Sequence, residues 1–402
     1  MAILSPPRSA PKPRLQPLPG PLVRGPRLDW VLIGATGLLL VFGTLLVWSA
    51  TRDHDALTGG DPDAFLKRQL LNIGIGCVLA FLVAATDYRW VRILVPAVYV
   101  ASLAGLVLVL VMGSTINGSR SWILLGPLSI QPSEFAKLAV IAGMALIAAE
   151  RAEAHQGRIR NVDVLLMLGV AGLPAALILL QPDLGTMLVL GATVFGVLAV
   201  AGVHRGWLVG LLVSAVAGAG LIVQLGLLKA YQLDRFMAFT NPALDPRGAG
   251  YNTEQARIAI GNGGLFGQGL FSGSQTTSGF VPEQQTDFVF TVAGEELGLI
   301  GAGLLVVLFA VLLWRALVIA RDAQDRFGRV AAAGVACWLA FQAFQNIGMC
   351  LGIMPVTGVP LPLVSYGGSS MFATLMAIGL LLNIRLRPDI DGYALRDRLT
   401  GR

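Results

Sequence analysis

Ten apolar runs, each about long enough to cross a bilayer, decide what this chain can fold into. They lie at about 30–50, 69–86, 91–112, 134–149, 163–181, 184–203, 206–228, 288–320, 330–353 and 370–386. A helical span needs roughly 20 such residues at 1.5 Å of rise each. Hydrocarbon offers no partner to a backbone N–H or C=O, so only helices and closed barrels cross it. The runs show no sustained alternation of apolar and polar residues, which excludes the barrel. The fold expected is all-α: a polytopic membrane helical bundle of about ten transmembrane helices. Composition agrees, with 13% charged residues against about a quarter in soluble chains.

Ten spans place both termini on one side. Lys and Arg outnumber those of the opposite segments by more than two to one on that side, which makes it the cytoplasmic one. Residues 1–29, rich in Pro and Arg and without an apolar core, read as a disordered cytoplasmic tail. Residues 30–386 form the membrane domain, and residues 387–402 a second cytoplasmic tail. The net charge of +6 is dispersed in short clusters between spans, so nucleic acid is not an expected partner. Three cysteines (Cys77, Cys337, Cys350) and three scattered histidines show no metal-ligand spacing.

Three outer segments carry the polar chemistry: 113–133, a large loop at 229–287 between spans seven and eight, and 354–369. VPEQQTDFVFTVAGEELG, residues 281–298, sets Glu283, Asp287, Glu295 and Glu296 at the mouth of span eight. Pro282 and an acidic residue suit a helix N-terminus, and that capping role accounts for Glu283 or Asp287 alone. The deeper pair, about 12 Å further along a helix, is not explained by it. A carboxylate partly withdrawn from water gains proton affinity, which suits a general base.

QPSEFAK places Glu134 and Lys137 three apart on one helix face, either as a local ion pair or, with Arg120, to meet an anion. Trp122 fits an interfacial aromatic belt. IAIGNGGLFGQG lacks the strand and Lys-Ser/Thr of a nucleotide loop, so its glycines are expected to permit close backbone approach. GVPLPLVSYGGSS reads as an irregular or re-entrant segment carrying Ser365, Tyr366, Ser369 and Ser370. A Ser nucleophile has no visible His or Lys partner there, and capping of span ten is the better reading. These residues alone leave enzyme and transporter open.

Taken together, GSRSWI, QPSEFAKL, QPDLGT, NPALDPRGAGY, QARIAIGNGGLFGQG, VPEQQTDFVFTVAGEELG and GVPLPLVSYGGSS resemble, in order, the motifs of the SEDS family. The resemblance covers about residues 30–386. It is closer to the elongation (RodA) branch than to the division branch, which typically reads PEAHTDF; Gln285 stands in place of that His. It implies a peptidoglycan glycosyltransferase that polymerises lipid II at the outer face of the bacterial cytoplasmic membrane during elongation and shape maintenance. A class B penicillin-binding protein transpeptidase and the elongation machinery are the implied partners. Asp287 carries the general-base role by this analogy. Lys137, Arg120 and Arg247 are candidate cations for the leaving diphosphate. A divalent cation (Mg or Mn) could share that work through Glu134. Gln255, Glu283, Ser365, Tyr366 and Ser369 complete the candidate substrate contacts, and Glu295 and Glu296 are expected to be architectural. The competing readings are a lipid II flippase, a non-catalytic scaffold for the transpeptidase, and a division or sporulation paralogue.

Overall fold

The computed structural model describes residues 28–116, 119–125, 128–226 and 248–386. Both tails expected from the sequence, 1–29 except its last two residues and 387–402, and the first part of the large loop lie outside them. The helices are α1 (Trp30–Thr51), α2 (Asp55–Thr58), α3 (Ala64–Ala85), α4 (Tyr88–Met112), α5 (Pro132–Ala154), α6 (Asn161–Leu180), α7 (Leu184–Val200) and α8 (Arg205–Gln224). They continue with α9 (Ala249–Asn262), α10 (Ser274–Ser278), α11 (Val289–Glu296), α12 (Gly298–Asp322), α13 (Arg326–Leu351) and α14 (Gly368–Leu386). Eight are long and apolar enough to cross a membrane: α1, α3, α4, α5, α6, α12, α13 and α14; α7 and α8 supply two shorter apolar helices. The all-α, multi-pass architecture is therefore as expected.

Helices α5, α13 and α14 form the buried centre, with α13 packed on α5, α7 and α12, and α14 packed on α3. Peripheral helices turn large apolar side chains outward, among them Phe81, Trp90 and Val216, which suits lipid rather than water. Close packing here relies on small residues, because lipid tails give helices no hydrophobic reason to associate. At Gly379 a Cβ would collide with the Ala80 carbonyl of α3.

Three features depart from the sequence reading. First, the 113–133 segment holds a three-stranded antiparallel sheet, β1 (Ser114–Ile116), β2 (Ser119–Leu125) and β3 (Leu128–Ile130), in that order. Thr115 pairs with Arg120 and Ile123 with Ile130. Strands of three to seven residues are too short to leave an alternation that stands out from a loop. Second, the large loop contains α9 and α10.

Third, span eight is broken at Leu297–Gly298, where Gly298 has φ +65°. The free carbonyls of α11 and the free N–H groups of α12 are both met by the glycine-rich segment. Gln268 N donates to Glu295 O (3.0 Å) and Gly269 N to Glu296 O (3.0 Å). Leu299 N donates to Gly264 O (2.9 Å) and Ile300 N to Leu265 O (3.2 Å). Such pairing is obligatory for a helix break away from water. It also explains the glycines: a Cβ at Gly263 or Gly267 would overlap the backbone of residues 294–298.

Candidate active site

Span eight does not begin at Pro282 or Asp287. Helix α11 starts at Val289 with Phe288 as its N-cap. Residues 283–288 form a tight turn in which the Glu283 carbonyl accepts from the N–H groups of Thr286 (3.2 Å), Asp287 (3.0 Å) and Phe288 (3.2 Å). Glu283 itself has φ +51°, a conformation that costs a non-glycine residue of order 1 kcal/mol and concentrates at functional sites. The turn aims Glu283, Thr286 and Asp287 into a cavity of about 290 Å³. The N-cap of α11 is thus Phe288 rather than Asp287.

Three other segments close the cavity: Ser121, Trp122 and Ser129 from the small sheet with Gln131 at the N-cap of α5, Pro182–Leu184 from the α6–α7 corner, and Thr357, Gly358, Pro360, Tyr366, Gly367 and Ser370 from the segment before and into α14. These segments are tied to one another. Ser369 Oγ donates to Ser129 O (3.1 Å) and accepts from Gln131 N (2.8 Å). Gln131 Nε2 donates to Asp183 Oδ2 (3.2 Å). Tyr366 N donates to Gln285 O (2.8 Å), and its ring packs against Phe65 at 4.9 Å. Asp287 Oδ2 lies so near Gly358 that a Cβ there would sit 3.2 Å from it.

The candidates thus separate. Asp287, Glu283 and Tyr366 line the cavity. Ser369 braces its rim, and Ser365 is buried, its Oγ accepting from Leu361 N (2.8 Å). Trp122, read as a belt residue, is a wall of the cavity. Arg120 is exposed and donates to Gly113 O and Val111 O (both 2.8 Å), closing the end of α4. Gln255 is half-buried on α9 and does not line the cavity. Arg247 lies outside the described residues.

Lys137 is fully buried, with Nζ 2.8 Å from Glu134 Oε1 and 2.8 Å from Gln342 Oε1, above the Trp338 ring. The local ion pair is what the geometry realises, and it sits one layer behind the cavity wall. Glu134 accepts from that ammonium through Oε1. Among the described residues no three His, Cys, Asp or Glu side chains converge as a metal-holding group.

Asp183 belongs to the QPDLGT motif, to which the sequence reading assigns no site role. It caps α7, accepting from Thr186 N (2.9 Å) and Thr186 Oγ1 (2.7 Å), and still lines the cavity. Its signal was a short polar break inside a long apolar stretch. Glu295 and Glu296 are both buried, and the Glu295 carboxylate accepts from the Ser274–Thr276 turn.

Comparisons with known proteins bear on the family and the fold. The family model FTSW_RODA_SPOVE, described as cell cycle protein, matches residues 29–388. Stage V sporulation protein E of Bacillus subtilis is 41% identical over 89% of this chain and 96% of its own length. A probable peptidoglycan glycosyltransferase FtsW of Trichlorobacter lovleyi is 40% identical, covering 89% and 92%. The peptidoglycan glycosyltransferase MrdB of Escherichia coli is 38% identical, covering 86% and 90%. Among solved structures, the crystal structure of Thermus thermophilus rod shape determining protein RodA superposes with TM-score 0.66 at 32% identity, covering 93% of this chain and all of that one. A chain from a peptidoglycan synthase complex superposes with TM-score 0.74 at 35% identity, covering 89% and 97%. The sporulation, division and elongation relatives stand at similar identity, so they do not single out the elongation branch. The chain is a multi-pass membrane protein of the FtsW/RodA/SpoVE family of peptidoglycan glycosyltransferases.

Proposed function

We propose that this chain polymerises lipid II into glycan strands, with Asp287 as general base. The observation that carries the reading is the placement of Asp287 on a strained turn facing a cavity walled by Trp122, Tyr366 and small polar groups. The acceptor sugar 4-hydroxyl oxygen forms a bond to the donor's anomeric carbon. Its proton passes to the Asp287 carboxylate. The bond from the anomeric carbon to the diphosphate oxygen breaks, and the polyprenyl diphosphate leaves with that electron pair. General-base catalysis of this kind contributes about 10²–10⁴-fold.

The leaving diphosphate gains negative charge, and a fixed cation beside it lowers the barrier. Among the described residues no Lys or Arg lines the cavity. Arg120, next in sequence to Ser121 and Trp122, is the nearest candidate along the chain, and Arg247 is a second. Lys137, committed to Glu134 and Gln342, serves the wall rather than the substrate.

The termini face the cytoplasm and the cavity opens toward the outer leaflet in this reading, which rests on the excess of Lys and Arg in the opposite loops. Cell elongation is the assigned process, on the PEQQTDF motif. A class B penicillin-binding protein is the assigned partner, supported by the likeness to a chain of a peptidoglycan synthase complex. The test is lipid II polymerisation by the purified protein with its partner, resolved on gels, with Asp287→Asn in parallel. Glycan strands from wild type and none from a folded Asp287→Asn are expected. Ordinary strands from that variant would remove the base assignment, and lipid II redistribution across liposomes by the protein alone would favour a carrier.

A further inference from the structure

We propose that Asn346 is a positioning residue for glycosyl transfer, its single side-chain amide setting Asp287 at a defined distance from the facing wall of the cavity. The inference rests on Asp287 being the base.

Helix α13 turns three buried amides, Gln342, Gln345 and Asn346, toward the segment 354–361. The spacing i, i+3, i+4 puts them on one face. Gln342 Nε2 donates to Pro360 O (2.9 Å). Gln345 Nε2 donates to Pro355 O (3.2 Å) and Thr357 Oγ1 (3.1 Å). Asn346 Nδ2 donates to Val359 O (2.8 Å) and also to Asp287 O (2.7 Å). An irregular segment at this depth has no ladder to satisfy its carbonyls, so side chains must do so. The three amides are what gives the wall its shape.

The amide orientations follow from their partners. Gln342 Oε1 receives Lys137 Nζ (2.8 Å) and Trp338 Nε1 (2.7 Å), and neither group can accept. Its nitrogen is therefore left for Pro360. Asn346 faces two carbonyls, so reversing the amide would set its oxygen against both. Its two N–H groups serve two segments that are 72 residues apart in sequence by their numbers, at Asp287 and Val359.

Asp287 O stands outside the helical ladder, since α11 begins at Val289 and Phe288 O is the first carbonyl to accept, from Thr291 N (2.9 Å). Asn346 holds this carbonyl at 2.7 Å, with the Cys350 thiol donating to it more weakly at 3.9 Å, and Asn346 holds Val359 in the same grip. Between Val359 and Pro360 on one side and Thr357 on the other lies Gly358, against which Asp287 Oδ2 rests. Asn346 thereby sets the gap between the base and the wall without itself lining the cavity. A base must lie about 2.6–3.2 Å from the proton it takes.

The test is initial-rate lipid II polymerisation by the full chain with its partner transpeptidase, over a range of lipid II concentrations. Asn346→Leu, close in size and without donors, is compared with wild type and with Asp287→Asn. A 1 Å displacement of a catalytic group costs on the order of 10²-fold, and a fall of that order in kcat is expected, with KM within about twofold of wild type and an unchanged elution profile. Asn346→Ser, which keeps one donor in a smaller side chain, is expected to lose less; it decides the matter if Asn346→Leu does not fold. Wild-type kcat in a folded Asn346→Leu or, failing that, in Asn346→Ser overturns the proposal, as does a loss expressed only in KM. If Asp287→Asn is inactive while the Asn346 variants turn over normally, this inference alone fails. If Asp287→Asn polymerises normally, the base reading fails, and the proposal with it.

Discussion

Glu295 holds Thr276 twice: its Oε2 accepts from the Thr276 backbone N–H at 2.9 Å and from the Thr276 hydroxyl at 2.7 Å. Its Oε1 accepts from Gln275 N at 2.7 Å. A carboxylate at the end of a transmembrane half-helix thus ties down the turn that opens α10. Close by, His54 Nε2 meets Thr276 O at 3.0 Å, and Glu296 accepts from Ser49 Oγ at 2.6 Å. The acidic pair fastens the glycine-rich loop between α1 and the broken span, and that loop in turn caps both half-helices.

Removing this fastening should loosen the loop before it unfolds the bundle. Hydrogen bonds to a charged group are worth about 1.5–3 kcal/mol each. Glu295→Ala is expected to lower the melting temperature and to expose 263–279 to limited proteolysis. Mass spectrometry of the cleavage products checks it; cleavage no faster than in wild type would mean that Glu295 does not secure the loop.

Gly298 has a second, independent constraint, since its φ is +65° and a Cβ would collide with the backbone of Gly267. Gly298→Ala should cost at least about 1–3 kcal/mol. Gly34→Ala, which meets nothing within 4 Å, should leave thermal stability near wild type. Detergent melting curves of the two variants, side by side, make the comparison.

The Glu134–Lys137 pair is buried on both sides. Removing one partner strands a charge, a loss of about 3–5 kcal/mol. Lys137→Met is therefore expected to be much less stable than wild type, and Lys137→Met with Glu134→Gln to recover part of the loss. A double variant as unstable as the worse single one would contradict the pairing.

Asp183 both caps α7 and faces the cavity. Asn caps about as well as Asp, whereas Ala costs typically about 1 kcal/mol. Asp183→Asn should thus keep the cap through Oδ1 but lose the contact from Gln131 Nε2. It should melt closer to wild type than Asp183→Ala, and a fall in its polymerisation rate reports the charge and that contact together. Asp183→Ala is expected to lose stability as well. An Asp183→Asn protein of full activity would limit Asp183 to capping.

Much of this was open to a reading of residues alone. The apolar runs located the helices because hydrocarbon leaves the backbone so few options, and the Glu134–Lys137 spacing allowed the ion pair that forms. Asp287 stood out as a charge at the mouth of an apolar run. What stayed hidden had local signals weaker than its tertiary cause. The break at Leu297–Gly298 is stable only because a loop some thirty residues upstream supplies its hydrogen bonds. The three strands are too short to announce themselves. Gln342, Gln345 and Asn346 look like isolated polar residues in a span, although polar groups inside a membrane generally have a partner to be found.

The sequence by itself determined a multi-pass helical bundle and its family, because bilayer thickness and backbone hydrogen bonding act on every run locally. Only the tertiary structure decided which polar residues share a cavity. Those choices depend on segments far apart in the chain, as when Asn346 joins Asp287 to Val359, and no local spacing encodes a contact of that kind.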